Sequence, residues 1–313
     1  MRVAFLGTPA FAAPSLEALA AEGFDIPAVL SQPDRPKGRG QQLAISPVKE
    51  TALRLGLSVH QPERVRRPEV IELLRGLALD AMVVVGYGQI IPQAIIDLVP
   101  LGIINVHASL LPKYRGAAPI QWAIANGETR TGVTTMRIDA GLDTGGMLMK
   151  TETEIAPEET APELSARLAE LGARLLIETM RGLERGSIQP ERQDHAQHSL
   201  APILKKEDGL IDWRQPASRI QARARGFQPW PGAYTTFRGQ TLHVIRCRAV
   251  AAADAPAGAI MLPDRKSLVV ACGEGTALEL LELQLQGRNR VDAASFRNGQ
   301  RILENERLGE IAS

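Results

Sequence analysis

The chain has 313 residues, of which 44% are hydrophobic and 23% are charged, and its formal net charge at pH 7 is +1. This length favours two domains, and this composition is that of an ordinary globular protein with a sizeable core. No apolar run is long enough to cross a membrane and the first strand is too short for a signal peptide, so we expect a cytoplasmic protein. Cys247 and Cys272 lack metal-ligand spacing and are expected to be core thiols.

Short apolar strands alternate with amphipathic helices through the first half of the chain. Strands are predicted at 2–6, 26–30, 58–60, 81–85, 102–106, 131–138 and 146–154, and helices at 9–22, 47–55, 68–77, 121–126 and 160–183. This alternation is typical of a Rossmann-like, doubly wound and mainly parallel α/β sheet. The first strand-to-helix turn contains Gly7, Thr8 and Pro9 and lacks the Gly-x-Gly-x-x-Gly pattern, which argues against NAD and against a phosphorylated substrate at that helix.

Residues 31–46 interrupt this alternation. The segment is polar and rich in glycine and proline, and it is longer than the usual connection in an α/β unit, so we expect a functional or disordered loop. Arg35, Lys37 and Arg39 are three cations that suit contacts with phosphates. From the residues alone, a flexible solvated loop is an equal alternative.

The second half of the chain has a different pattern. Residues 185–204 are polar and predict a linker between a first domain, 1–184, and a second domain, 205–313. The second domain has a predicted helix at 216–225 and short strand candidates at 233–237, 241–246, 267–271 and 277–285, which favour a small antiparallel β-barrel.

The charge distribution and the linker histidines carry weaker signals. From residue 205 onward there are 16 Lys and Arg against 12 Asp and Glu, a net charge of +4. This is weak support for a polyanionic partner, and a solvated surface explains it nearly as well. His195 and His198 look like a fragment of a metal site, but no Cys or acidic cluster completes one.

Polar residues occur where the strand 102–106 ends. Asn105 and His107 are two residues apart, so on an extended strand both side chains point to the same side, at the edge where ligands bind in such sheets. A carboxamide and an imidazole there can stabilise an oxyanion and move a proton, and Asp143 in a glycine-flanked turn can approach the imidazole. An isolated Asn-x-His would more often be a turn with a structural histidine. The Ser-Leu-Leu-Pro run at 109–112 and the Gly-Leu-Asp-Thr-Gly turn at 141–145 favour the catalytic interpretation.

These motifs resemble the folate-dependent formyltransferases, and among them those that act on methionyl-tRNA. The resemblance rests on Asn-x-His, on Ser-Leu-Leu-Pro-x-Tyr-Arg-Gly at 109–116 and on Gly-Leu-Asp-Thr-Gly at 141–145. Further matching segments extend from Gly-Thr-Pro at 7–9 to Pro-Trp-Pro at 229–231. The resemblance therefore covers the chain to about residue 232 and is looser beyond it.

The resemblance implies a reaction, its substrates and its residues. A formyl group would pass from 10-formyltetrahydrofolate to the amine of methionine on charged initiator tRNA, with no metal, and the barrel would be of the oligonucleotide-binding type and bind tRNA. The catalytic positions of the family correspond here to Asn105, His107 and Asp143. Its folate-contacting positions correspond to Tyr87, Gly88, Ser109, Leu110, Leu111 and Pro112. Contacts with tRNA are expected from Arg35, Lys37 and Arg39, and we expect a monomer.

Other functions stay open. A sugar-nucleotide formyltransferase would have the same Asn/His/Asp centre and a C-terminal barrel, although the basic segment at 35–40 favours tRNA. A non-catalytic tRNA-binding module would explain the barrel and the basic segment, but it would leave the Asn/His/Asp set without a role. A glycinamide ribonucleotide formyltransferase is disfavoured because the glycine-rich phosphate turn is missing.

Overall fold

The structure, a computed structural model, describes residues 1–37, 42–251, 254–304 and 306–309, with the side chains of residues 36, 37 and 42 outside that description. Its α-helices are α1 (Ala13–Ala21), α2 (Pro47–Arg54), α3 (Pro68–Gly76), α4 (Gln93–Ile96), α5 (Pro119–Ala125), α6 (Ala161–Glu184), α7 (Ala217–Gly226) and α8 (Ala293–Gln300). Its β-strands are β1 (Val3–Gly7), β2 (Val29–Leu30), β3 (Arg35–Lys37), β4 (Gln42–Ala44), β5 (Val59–His60), β6 (Ala81–Val85), β7 (Ile103–His107), β8 (Arg130–Arg137), β9 (Met147–Glu154), β10 (Ala233–Phe237), β11 (Gln240–Val250), β12 (Ile260–Met261), β13 (Val269–Ala271), β14 (Ala277–Leu285) and β15 (Val291–Asp292).

The chain divides into two compact units. The first unit consists of Met1–Pro119, Arg130–Glu154 and Ser165–Ala201. The second unit consists of Ile120–Thr129, Ile155–Leu164 and Pro202–Ser313. No helix in the described part of the chain has the length and apolar character needed to span a membrane.

A seven-stranded sheet lies at the centre of the first unit. Its strand order is β5-β2-β1-β6-β7-β8-β9, and the first five strands are parallel to one another, whereas β8 and β9 run antiparallel to their neighbours. The chain moves outward from β1 in both directions, first to β2 and β5 and then to β6 and β7. The predicted Rossmann-like, mainly parallel α/β fold is therefore confirmed.

The central strands are continuous apolar runs, and all five residues of β1 and of β6 are buried. Such runs are expected where helices cover both faces of a parallel sheet. One core cluster joins Leu6 and Met82 from the sheet to Leu74 of α3 and Ile95 of α4. The burial of these strands fixes the position of β7, whose carboxyl end carries the polar residues.

Residues 31–46 contain an element that the sequence did not predict. β3 and β4 pair as an antiparallel hairpin, with Arg35 opposite Ala44. The hydroxyl oxygens of Ser31 and Ser46 lie 2.6 Å apart at its base. The sequence analysis expected a functional or disordered loop here and gave it no strands, whereas the described residues form two strands, because their backbone polar groups pair with one another.

Most other predicted elements differ from the observed ones by a few residues at their ends. The predicted strand 26–30 is reduced to β2, since Pro27 has no N–H to donate to a ladder. The predicted helix 9–22 begins with a 3₁₀ turn at Ala10–Ala12 before α1. The predicted C-cap Gly127 adopts a φ of +78° and follows α5, as a helix-terminating glycine should.

An antiparallel sheet lies at the centre of the second unit. Its strand order is β10-β11-β14-β13-β12, with β15 paired to β14. Ile220 of α7 and Phe296 of α8 belong to the core cluster of this sheet, and the indole N–H of Trp213 donates to Thr235 Oγ1 at 3.1 Å. Where the sequence predicted a small antiparallel β-barrel, the structure has this six-stranded antiparallel sheet, which confirms the antiparallel β-fold of the second domain. The sequence did not predict β12, β15 or α8, because the strands are too short to show periodicity and the helix has only eight residues.

Candidate active site

Strand β7 carries Asn105 and His107 at the carboxyl end of the parallel part of the sheet. Asn105 pairs with Val84 of β6 on one side and with Met136 of β8 on the other, and His107 lies opposite Thr134 of β8. His107 is buried, whereas Asn105 is partly exposed. Among the residues that the structure describes, the Asn105 carboxamide has no hydrogen-bond partner, so its N–H groups are available to a ligand.

The imidazole of His107 lies between two acceptor groups of the first unit. Its Nε2 is 2.9 Å from the carbonyl oxygen of Tyr114, and its Nδ1 is 3.6 Å from Oδ2 of Asp143. Because a carbonyl oxygen can only accept, this geometry assigns a proton to Nε2. The neutral ring then presents the lone pair of Nδ1 on the side of the carboxylate. The structure thus brings together the predicted His107 and Asp143, which are 36 positions apart in the sequence.

The loop that carries Asp143 is held in an uncommon backbone conformation. Asp143 has a φ of +50°, and its Oδ2 accepts a hydrogen bond of 2.8 Å from the backbone N–H of Gly116. Earlier in the loop, Oδ1 of Asp139 accepts from the Gly141 N–H and from the Thr144 hydroxyl. A left-handed residue of this kind persists only where its surroundings hold it, and such positions cluster at functional sites.

A buried glutamine connects this loop to the Tyr-Arg-Gly segment. The side-chain amide of Gln193 donates to the carbonyl oxygens of Asp143 and Gly145, each at 2.8 Å. Its Oε1 accepts from Nε and Nη2 of Arg115 at 3.0 and 2.6 Å, and the Arg115 guanidinium also lies 3.3 Å from Nδ1 of His195. Gln193 is 2% exposed and Arg115 is 4% exposed. These bonds fix the positions of both loops around His107.

Residues 193–201 also pair with the backbone of the Tyr-Arg-Gly segment. Ser199 accepts from the N–H groups of Tyr114 and Arg115, through its hydroxyl and its carbonyl oxygen respectively, and the Ala201 N–H donates to the Arg115 carbonyl oxygen. The sequence analysis placed these residues in a linker and gave them no role at the site. Nothing in their polar composition indicates these contacts, because the partners are 78 or more positions away.

The Ser-Leu-Leu-Pro segment is held against β8 by its own polar groups. Thr134 Oγ1 donates to the carbonyl oxygen of Ser109 and accepts from the N–H of Leu111. The side chains of Ser109 and Leu111 are buried, whereas Leu110 and Pro112 are partly exposed. Leu110 and Pro112 are therefore the members of this predicted folate-contacting set with side chains that a ligand can reach.

Tyr87 and Gly88 lie at the carboxyl end of β6. The Tyr87 ring is in the core, where burial raises the pKa of its hydroxyl to about 12 and no described residue bonds to it. The Tyr87 carbonyl oxygen accepts from Thr8 Oγ1 and from Gln32 Nε2, each at 3.1 Å. Gly88 is exposed, with a φ of +83°. Of these two predicted residues, Gly88 and the backbone of Tyr87 are the parts that can face a ligand.

Two of the three predicted tRNA-binding cations belong to strand β3. Arg35 is exposed on β3, and the backbone of Lys37 belongs to the same strand, whereas Arg39 lies outside the described residues. The hairpin is tied to the rest of the first unit through the Asp34 carboxylate, which accepts from Lys49 Nζ at 2.5 Å and from the side-chain amide of Gln61 at 2.8 Å. These bonds hold the pKa of the Asp34 carboxyl below its ordinary value, with the bond from Lys49 as the largest cause.

Within the described residues, no three His, Cys, Asp or Glu side chains are grouped so that they could hold a metal ion. His195, which the sequence placed beside His198 as a possible metal fragment, instead contacts the Arg115 guanidinium. Nδ1 of His198 lies 2.8 Å from the carbonyl oxygen of His195.

Both parts of the chain match models of a known enzyme class. Residues 1–180 match the formyl transferase family, and residues 203–301 match the formyl transferase C-terminal domain. The chain therefore belongs to the class of formyl transferases.

Two curated relatives narrow this class. The methionyl-tRNA formyltransferase of Solibacter usitatus is 68% identical over 99% of this chain and 99% of its own length. That of Koribacter versatilis is 57% identical over the whole length of both chains. The chain belongs to the methionyl-tRNA formyltransferase family.

Solved structures show the same fold at low identity. The structure of an N-formyltransferase from Helicobacter canadensis, in complex with folinic acid and dTDP-3-aminofucose, superposes with a TM-score of 0.67. The two chains are 17% identical, and the match covers 90% of this chain and 98% of that one. At this identity the likeness is one of fold.

Proposed function

We propose that the chain transfers the formyl group of 10-formyltetrahydrofolate to the amine of methionine on charged initiator tRNA. The observation that carries this proposal is the high identity, from end to end, with relatives named for that reaction. A sugar-nucleotide acceptor has only a fold-level likeness in its favour. A non-catalytic tRNA-binding role would leave the geometry around His107 without a purpose.

The chemistry begins with attack of the methionyl amine on the formyl carbon. A new C–N bond forms, and the carbonyl oxygen becomes an oxyanion on a tetrahedral carbon. The Asn105 carboxamide, which is partly exposed and has no partner among the described residues, is the proposed donor to that oxygen. Removing one donor of this kind from an enzyme typically costs about 2.7–4 kcal/mol of transition-state stabilisation.

The proton of the attacking amine must reach the nitrogen that leaves. With Nε2 of His107 donating to Tyr114, the lone pair of Nδ1 is the base that takes this proton. The imidazolium so formed has Oδ2 of Asp143 at 3.6 Å, and the carboxylate stabilises its charge. Transfer of the same proton to N10 of the folate then accompanies cleavage of the C–N10 bond, which restores the neutral imidazole.

The folate is a substrate of this reaction and is consumed by it. Of the six predicted folate-contacting residues, the exposed Gly88 and the partly exposed Leu110 and Pro112 are those that the folate ring could reach. Ser109, Leu111 and Tyr87 are buried, so in this proposal they shape the folate pocket from behind. No metal is needed, because Asn105 and the imidazolium supply the positive partners of the oxyanion.

The tRNA partner is assigned to two basic regions. Arg35, Lys37 and Arg39 would contact phosphates near the acceptor end, and the second domain, 205–313, would hold the rest of the tRNA. For Lys37 and Arg39 this stays a prediction from the sequence. A monomer and a cytoplasmic location, where charged tRNA occurs, are further parts of the proposal.

Formylation of charged initiator tRNA by the purified chain tests the proposal. We expect acid-stable formylmethionine that depends on 10-formyltetrahydrofolate, with little product when elongator methionyl-tRNA is the acceptor. A dTDP-amino sugar, offered at equal concentration, should remain unmodified. Formylation of the sugar without formylation of the tRNA would replace this function with the alternative, and formylation of neither would remove both.

A further inference from the structure

The second unit contains a pocket that the proposed chemistry does not use. It has a volume of about 220 Å³ and lies between the 3₁₀ turn Lys206–Gly209 and α7. Its lining includes Asp208, Asp212, Arg219, Arg223 and Phe227. Arg219 and Arg223 are four residues apart on α7, so both guanidinium groups lie on one face of the helix.

Arg223 is half-buried at this pocket and is not paired with a carboxylate. Its Nη2 donates to the carbonyl oxygen of Asp208 at 2.8 Å, and its guanidinium lies 4.8 Å from the ring centroid of Phe227 and 6.0 Å from that of Trp122. Burial, followed by repulsion from Arg219, lowers the pKa of the Arg223 guanidinium, while the charge of Asp208 opposes this. The group stays charged, because a guanidinium does not lose its proton in proteins. It is therefore a poorly solvated cation.

The two carboxylates of the pocket are already bound elsewhere. Asp212 accepts from the backbone N–H, Nε and Nη2 of Arg214, and these bonds lower the pKa of the carboxyl to about 2. Oδ2 of Asp208 accepts from the Lys205 N–H at 2.7 Å. Arg219 is exposed, and its side chain has no hydrogen bond or ion pair with any part of the chain that the structure describes. Two guanidinium groups thus face one cavity without an ion-pair partner of their own.

We propose that this pocket is a phosphate subsite, in which Arg219 and Arg223 together hold one phosphodiester of the bound tRNA. The planar fork of a guanidinium matches two phosphate oxygens, and two forks on one helix face can share one anion. A phosphate in the pocket relieves the repulsion between the two cations. This inference rests on the proposed function only in that tRNA is the source of the phosphate.

Equilibrium binding of uncharged initiator tRNA at several salt concentrations tests this subsite without requiring catalysis. The variants are Arg219→Met, Arg223→Met and the double variant, because methionine keeps a long unbranched apolar side chain and removes the charge. Each single variant should bind tRNA about tenfold more weakly at low salt and flatten the slope of log K against log salt by about 1. Since both side chains hold one phosphate, the double variant should lose little more than either single variant.

Arg248→Met is the matched control. Arg248 is also an exposed arginine of the second unit, but its partner is Glu279 and it does not line the pocket. Its replacement should leave the salt slope unchanged. Arg219→Met carries little folding risk because that side chain is exposed, and melting curves check Arg223→Met.

Three results would overturn the inference. They are an unchanged salt slope in Arg219→Met, losses that add fully in the double variant, and a control that behaves like the pocket variants.

Titration with inorganic phosphate distinguishes a site for free phosphate from a site for a phosphodiester of tRNA. If phosphate perturbs the Arg Nε–H NMR signals of the pocket while the variants bind tRNA normally, the site takes free phosphate and the tRNA assignment is wrong. If the protein and its variants bind tRNA with the expected salt slopes but the protein forms no formylmethionine, the proposed function is contradicted and this inference is not.

Discussion

Gln193 is almost fully buried, and its two side-chain polar atoms bond to two different loops. The amide nitrogen donates to the carbonyl oxygens of Asp143 and Gly145, and the amide oxygen accepts from the Arg115 guanidinium. Neither loop is part of a helix or strand at these positions. If the proposed reaction is correct, Gln193 is a positioning residue, because the placement of Asp143 beside His107 depends on these bonds.

We expect Gln193→Leu to lower kcat by about 10- to 100-fold, because small misplacements of catalytic groups have effects of this size. The KM for the folate should change little, and Gln193→Glu should recover part of the loss by keeping an acceptor for Arg115. Single-turnover formylation measures this. Gln197→Leu is the control, since Gln197 is exposed and, among the described residues, its side chain bonds only to Asp194. A Gln193→Leu enzyme with normal kcat would show that the loops need no such support.

The Tyr87 hydroxyl leads to a prediction about stability. Its hydroxyl is buried with no partner among the described residues, and burial raises its pKa to about 12. A buried polar group without a hydrogen bond costs about 1–3 kcal/mol, so Tyr87→Phe should leave stability unchanged or increase it. Chemical denaturation measures the free energy of unfolding. A loss of more than about 1 kcal/mol would mean that the hydroxyl has a partner, such as a buried water.

The candidate residues on strand β7 could be located from the sequence, whereas the buried positions of Gln193 and Tyr87 could not. That Asn105 and His107 share one side of β7 was predictable because strand parity is local, and residues two apart on one strand point to the same side. The contacts of Gln193 reach partners 50 and 78 positions away, and a glutamine in a polar segment has no pattern that indicates burial. The burial of the Tyr87 ring was missed for a similar reason, since a glycine-flanked turn does not determine which way its central side chain points.

The β3–β4 hairpin is anchored by one ion pair and its neighbours. Asp34 accepts from Lys49 and Gln61, and Lys49 Nζ also donates to Gln61 Oε1 at 2.7 Å. Asp34 and Lys49 are 23% and 20% exposed in their side chains, so the pair is largely shielded from water. This anchor sets the direction in which Arg35 and the rest of the hairpin leave the first unit.

Asp34→Asn should raise the KM for charged tRNA by about three- to tenfold and leave the folate KM unchanged, because the hairpin loses its fixed direction. Glu50→Gln is the matched control. Glu50 is exposed on α2, next in the chain to Lys49, and its replacement also removes one negative charge. General electrostatics predicts a lower tRNA KM for both variants, since each makes the surface more positive. A fall in KM for Asp34→Asn, as for the control, would therefore contradict the anchoring role.

Asp212 allows a test by pH in the second unit. Its bonds from Arg214 lower the pKa of the carboxyl from an ordinary 3.8 to about 2, so the ionised form stabilises the folded state. That stabilisation is present above about pH 4 and is lost as the pH falls toward 2. The side chain is 39% exposed, which limits the contribution to at most about 1 kcal/mol.

Denaturation of Asp212→Asn and of the unsubstituted protein between pH 7 and pH 2 measures this contribution. The difference in unfolding free energy should be largest near neutrality and should shrink toward pH 2. A difference that is constant with pH would assign the effect to altered hydrogen bonding instead of charge. The variant also leaves the Arg214 guanidinium without its carboxylate, so Arg214→Gln should produce a loss of similar size.

The two units are not built from two continuous halves. Ile120–Thr129 and Ile155–Leu164 belong to the second unit, although they lie between segments of the first. The family models nevertheless divide the chain near the predicted linker, at residues 180 and 203. A linker can be recognised from its composition. Whether a short segment belongs to one unit or the other depends on the residues that it packs against, which the sequence does not show. The predicted boundary at 185–204 stays a prediction.

The central claim is that this chain formylates charged initiator tRNA through Asn105, His107 and Asp143. Its most direct test is the single-turnover rate of formyl transfer, with saturating folate and tRNA, for the unsubstituted protein and for His107→Ala and Asp143→Asn. We expect each variant to react at least about 100-fold more slowly, because each loses part of the proton transfer, while melting temperature and tRNA affinity stay close to those of the unsubstituted protein. Transfer at the unsubstituted rate by either variant would contradict the assignment of this site.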